Sequence, residues 1–130
     1  MSQQFFPNTI PNINIDPTIA ALAASRAVEV DLLSGAIAIK SGTVFLTKAG
    51  VAVMTLALPV AGTPDAGGDD GKTLTIVSTT ANAHTVTTPA NGLDGSVHIA
   101  TFSGTLPNVL EIKAYQGSWY SVVKLGITNS

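Results

Sequence analysis

From Ala27 onward the chain alternates apolar and polar residues with a period of two, in short runs separated by Gly, Pro, Asn and Ser. Successive side chains on a strand point to opposite faces, so this pattern dresses strands correctly and would scatter the same residues around a helix. The runs are AVEVDLL, GAIAIK, TVFLTK, AVMTLALP, KTLTIVST, AHTVTTP, VHIATFS, NVLEIKAY and SWYSVVKL, with Gln116-Gly117 as a compact turn between the last two. They predict an all-β domain over residues 27–130, a single sandwich or barrel of about eight or nine short antiparallel strands. The pieces from Gly35 to Gly50 echo each other, G-x-I-x-I-K against G-T-V-F-L-T-K, as expected of a hairpin. No longer period points to a solenoid.

Two segments precede this domain. Residues 1–16 carry Pro7, Pro11 and a run of Asn-x-Ile steps, which disfavour a helix and predict an extended N-terminal arm. Its Phe5, Phe6, Ile10, Ile13 and Ile15 need a surface to bury against, and are the expected partner-binding residues, on another protein or on a neighbouring copy. Residues 17–26 predict one short helix: Asp16 caps it, Pro17 takes the first position, and Ile19, Leu22 and Ala23 share a face.

Charge is scarce, at 11% of 130 residues against about 25% in ordinary soluble domains. A chain so short of charge is expected to hide surface in an oligomer or a larger particle. The net charge of −2 offers no field for nucleic acid or anionic lipid, so neither is an expected partner. There is no cysteine, hence no disulfide and no thiolate metal site. The N-terminus lacks a basic start with an apolar run, and no segment approaches the roughly 20 apolar residues of a membrane span, so the chain reads as made and kept in a cytoplasm.

The stretch AGGDDGKT, Ala66 to Thr73, differs from a phosphate-binding loop by its first glycine. Such a loop needs a helix after its lysine, whereas TLTIV alternates as a strand, so the expected structure is a turn with wet aspartates and Lys72 in water. Asp65, Asp69 and Asp70 lack calcium-loop spacing, and His84 and His98 have no third ligand nearby. No serine sits in a nucleophile elbow, and the remaining acids, Asp16, Glu29, Asp31, Asp94 and Glu111, are scattered. No catalytic residue, cofactor or metal is expected. Among the aromatics, Trp119 is expected to seal the core while Tyr120 or Tyr115 reaches the surface.

The strand GTVFLTKAG, the LALP stop, the run DDGKTLTIVSTTANAHTVTTP and the closing YQGSWYSV hairpin resemble small virion structural proteins of tailed bacteriophages, of the capsid decoration, cement and head-fibre kind. The resemblance covers roughly Ser34 to Lys124. It implies a compact β domain, commonly a homotrimer, that binds the outside of an assembled head and bridges subunits of the major capsid protein. The alternative is a receptor- or glycan-binding fibre or tail module of the virion.

Overall fold

A computed structural model describes residues 26–130. The expected arm (1–16), with Phe5, Phe6, Ile10, Ile13 and Ile15, and nearly all of the expected helix (17–26) lie outside the described residues. What is described is all-β, with one 3-10 turn at Pro64–Ala66. Ten strands follow in order: β1 (Val28–Asp31), β2 (Gly35–Ala36), β3 (Gly42–Leu46), β4 (Val53–Thr55), β5 (Thr73–Ser78), β6 (Thr85–Thr87), β7 (Ile99–Phe102), β8 (Asn108–Tyr115), β9 (Ser118–Leu125) and β10 (Ile127–Asn129).

They form two five-stranded mixed sheets, ordered β1-β3-β5-β8-β9 and β10-β7-β6-β4-β2. The expected antiparallel arrangement is corrected here. Strands β1, β3 and β5 are parallel in the first sheet, and β2, β4 and β6 are parallel in the second. The chain therefore crosses between sheets at every step from β1 to β6, laying each strand beside the one two elements earlier, in the manner of a short solenoid. The expected Gly35–Gly50 hairpin does not form, because β2 and β3 lie in different sheets. The similarity of these pieces reflects successive passages of a coil, and the coils differ in length because a long loop separates β4 from β5. Antiparallel pairing appears only afterwards, where β8 and β7 join β5 and β6, followed by β9 and β10.

One apolar core draws on both sheets. Val44, Leu46, Leu74, Ile76, Leu110 and Ile112 come from the first, and Met54, Val86, Ala100 and Phe102 from the second. Trp119 is fully buried, with its indole N–H donating to Ala57 O at 3.0 Å, while Tyr115 and Tyr120 are exposed. Burying a side chain of this size contributes about 1.5–3 kcal/mol, and the indole's one donor is satisfied.

Stacked corners hold the coils in register. Thr79 N–H donates to Leu46 O, Thr85 N–H to Ala52 O, and Asn82 Nδ2 to Ala49 O. Buried His84 completes this corner: its Nδ1 accepts from Ala52 N–H at 2.9 Å, which places the ring proton on Nε2. That proton goes to Thr80 Oγ1, whose own proton goes to Lys48 O. Burial, with Lys48 nearby, pushes the imidazole below 6.5 against the opposing bond to Thr80. His84 is thus a neutral bracket between corners, and His98 is exposed ahead of β7.

Candidate interaction face

The loop after β4 is bolted down. Asp69 is only 6% exposed; its Oδ2 accepts from Val60 N–H at 2.7 Å and its Oδ1 from Lys72 Nζ at 2.8 Å, with Lys40 Nζ 3.7 Å away. Burial alone would raise its carboxyl, but these bonds and both lysine charges hold it below 3.8. The expectation of a wet turn is corrected at this point: Lys72 serves Asp69, and Thr73 starts β5 directly, with no helix after the lysine. Neither the paired Lys72 nor the strand behind it can cradle a phosphate. The Lys72–Asp69 bond is local, three residues apart, whereas the approach of Lys40 is tertiary.

Asp70 fastens the same loop to the β8–β9 turn. Its Oδ1 accepts from Gln116 N–H at 2.8 Å and its Oδ2 from Gln116 Nε2 at 2.9 Å. Both bonds are exposed, so Asp70→Ala is expected to cost only about 0.5–1.5 kcal/mol. Amide exchange read by NMR should show the Gln116 N–H accelerating while the buried Asp69 N–H stays protected.

Asp94 makes a third clamp. Its carboxylate accepts from Ser121 N–H (2.7 Å), Ser121 Oγ (2.9 Å) and Asn129 Nδ2 (2.8 Å), joining the β6–β7 connection to β9 and β10. Burial works to raise its carboxyl, while these bonds and Lys124 bring it below 3.8. Among the described residues no three His, Asp or Glu side chains gather to hold a metal ion. Asp69, Asp94 and His84 are each occupied by structural hydrogen bonds.

What the fold does present is a face. Pairing registers place Val30 of β1, Phe45 of β3, Val77 of β5, Val109 of β8 and Leu125 of β9 in one row across the first sheet. The row lies on the side away from the core, because the alternate residues Val44, Leu46, Ile76 and Leu110 are the buried ones. At about 4.8 Å between strands it extends roughly 19 Å. Val30 is 53% and Leu125 49% exposed, and the three central residues are half-buried by their neighbours. The next row in the same register is Val28, Thr43, Thr75, Glu111 and Val123.

Beyond Thr43 and Thr75 the face dips into a cleft of about 370 Å³, walled by Pro64 and Lys72 and floored by Ser41, Thr43, Thr73 and Thr75. The second sheet's outer face is different: Thr55 pairs with Thr87 and Thr85 with Thr101, with Val53 and Ile99 in the same rows. The second sheet's outer face is thus rich in hydroxyls with separate apolar residues, while the first is crossed by a continuous apolar row.

No family model matches this chain, and no curated protein matches it. Among the described residues no helix is long and apolar enough to cross a membrane.

Proposed function

We propose that this chain is a structural protein of a bacteriophage virion, a capsid decoration or cement protein that binds the outside of the assembled head and bridges coat subunits. The observation that carries the reading is the apolar row crossing an outer sheet face on a chain with 11% charged residues. Such a surface is suited to burial in an assembly. The resemblance of Ser34–Lys124 to head-decoration proteins supplies the kind of assembly. The arm of residues 1–16 would lie on coat protein, through Phe5, Phe6, Ile10, Ile13 and Ile15.

The mechanism is mass action. A ligand that binds only the assembled lattice stabilises it by RT ln(1 + [L]/Kd), about 2.7 kcal/mol per site at a hundredfold excess over Kd. Linking copies into an oligomer adds multivalency. A receptor- or glycan-binding module is the second reading, favoured by the hydroxyl-floored cleft. Its described lining holds no aromatic ring on which a sugar could stack, so the first reading is preferred.

Co-sedimentation with empty heads tests the proposal. The full chain is expected to pellet with assembled heads and raise their melting temperature, and not to bind unassembled coat protein. Deleting residues 1–16 is expected to cut binding at least tenfold; undiminished binding removes the arm from the contact. A chain that never pellets with heads, yet binds an isolated glycan, sinks the decoration reading.

A further inference from the structure

We infer that the apolar row on the first sheet packs against the same row of a second copy, about a two-fold axis running along β5. The inference rests on the assembly reading above, replaces the homotrimer that the resemblance implies with a two-fold pair, and names the partner of that face. Such a partner is self-complementary by symmetry: each residue on one side of the axis must suit the residue equally far on the other side.

The row meets that condition. With Val77 on the axis, Val77 faces Val77, Phe45 faces Val109, and Val30 faces Leu125, so every pair is apolar. The neighbouring row adds Thr75 against Thr75 and Val28 against Val123. Charge placement is the sharper test. Among the described strand residues on this face, the charged ones are Glu111 and Lys113, and both belong to β8. Lying on one side of β5, neither can meet its own copy; the axis sets each Glu111 carboxylate opposite the Thr43 hydroxyl of the other chain. An unrelated partner would place no such condition on which strands carry charge.

The contrast with the second sheet supports the same assignment. The second sheet's outer face carries threonine at Thr55, Thr85, Thr87 and Thr101, with Val53 and Ile99 separated among them and no continuous apolar row. Face-to-face sheets pack about 10 Å apart with interdigitated side chains, a spacing that valine, leucine and phenylalanine fill. The inward-pointing Glu29 and Asp31 and the bulge between Glu111 and Ile112 disfavour edge-to-edge pairing at β1 and β9, which leaves the face as the contact.

Sedimentation equilibrium and light scattering decide it. The full chain is expected to have the mass of a dimer. Val77→Lys, which brings two ammonium groups together on the axis, is expected to raise the dissociation constant at least a hundredfold, with the melting curve confirming that the domain still folds. Thr43→Glu is expected to weaken the dimer by setting a second carboxylate against Glu111 of the other copy, and adding Glu111→Lys to restore it, a rescue only this axis gives. A monomeric or trimeric wild type, a Val77→Lys variant that keeps its mass, or a Thr43→Glu effect that Glu111→Lys does not rescue would overturn the inference. A Val77→Lys chain that keeps its mass but no longer pellets with heads would make the row the coat-binding surface, ending this inference while the decoration reading stands. A monomeric variant that still binds heads upholds both.

Discussion

Gly42→Ala is expected to destabilise the domain by about 3 kcal/mol or more and to free β1 first. Gly42 has φ +111°, a conformation costing an L-residue about 1–3 kcal/mol. Space is short as well: a methyl there would run into the Ala27 carbonyl. That carbonyl is the acceptor for Thr43 N–H at 2.9 Å, the first bond tying β1 to β3. The clash is with backbone, so it cannot be relieved by turning a side chain. The coil must open, and among the described residues β1 has no second sheet neighbour to hold it. Urea denaturation gives the loss of stability, and hydrogen exchange should show residues 28–31 losing protection before β5 and β8. Wild-type stability in the alanine variant would mean that β1 is not stacked on β3 as described.

The same site shows what the sequence could and could not disclose. Alternation located nine of the strands, from AVEVDLL to SWYSVVKL, because a period of two is set by the pleat whatever the neighbouring strand does. It could not separate parallel from antiparallel pairing, which depends on where the chain travels after each strand. Ser41-Gly42 looks like a hairpin turn and is a corner leading to the other sheet. The coils stayed hidden because the loop holding Asp69 makes their lengths unequal, and the missed strand, Ile127–Asn129, is too short to alternate.

Alternation also gives a period without a phase. On β1 the apolar Val28 and Val30 face out and the carboxyls of Glu29 and Asp31 face in, the reverse of β3 and β5. The candidate face was therefore illegible until register joined Val30 to Phe45, Val77, Val109 and Leu125, residues spread over most of the domain. Scarcity of charge predicted that some surface would be hidden. Only the topology locates the apolar face.

Those inward carboxyls carry the second large prediction. Asp31→Asn is expected to leave stability nearly unchanged at pH 4 and to raise it by about 2 kcal/mol at pH 8. Glu29 Oε1 accepts from Ala38 N–H at 2.9 Å and Ile39 N–H at 3.2 Å, which fixes that carboxylate in place. Its Oε2 and Asp31 Oδ2 are buried and have no hydrogen-bond partner beyond each other's carboxyl. Burial, the hydrogen bond to Glu29 and the Glu29 charge raise the Asp31 carboxyl from 3.8 to about 7. The protonated Asp31 carboxyl can donate to the Glu29 carboxylate beside it, whose Oε1 ties β1 to Ala38 and Ile39. The folded value lies above the unfolded one, so this stabilisation is complete below pH 3.8 and is lost as pH rises through about 7. A shift of this size corresponds to about 4 kcal/mol when fully expressed, and water reaching the partly exposed pair reduces it to about 2. His84 works in the opposite direction. Its folded value lies below 6.5, so its contribution is present above pH 6.5 and declines as pH falls. In the wild type the two slopes oppose each other through the mildly acidic range. Asparagine keeps a donor toward Glu29 at every pH and removes one slope, leaving a stability that climbs with pH under the control of His84. Melting temperatures of both proteins from pH 4 to 8 give the comparison: curves that diverge towards high pH establish the raised Asp31 carboxyl, and parallel curves show that Asp31 titrates as an ordinary surface acid.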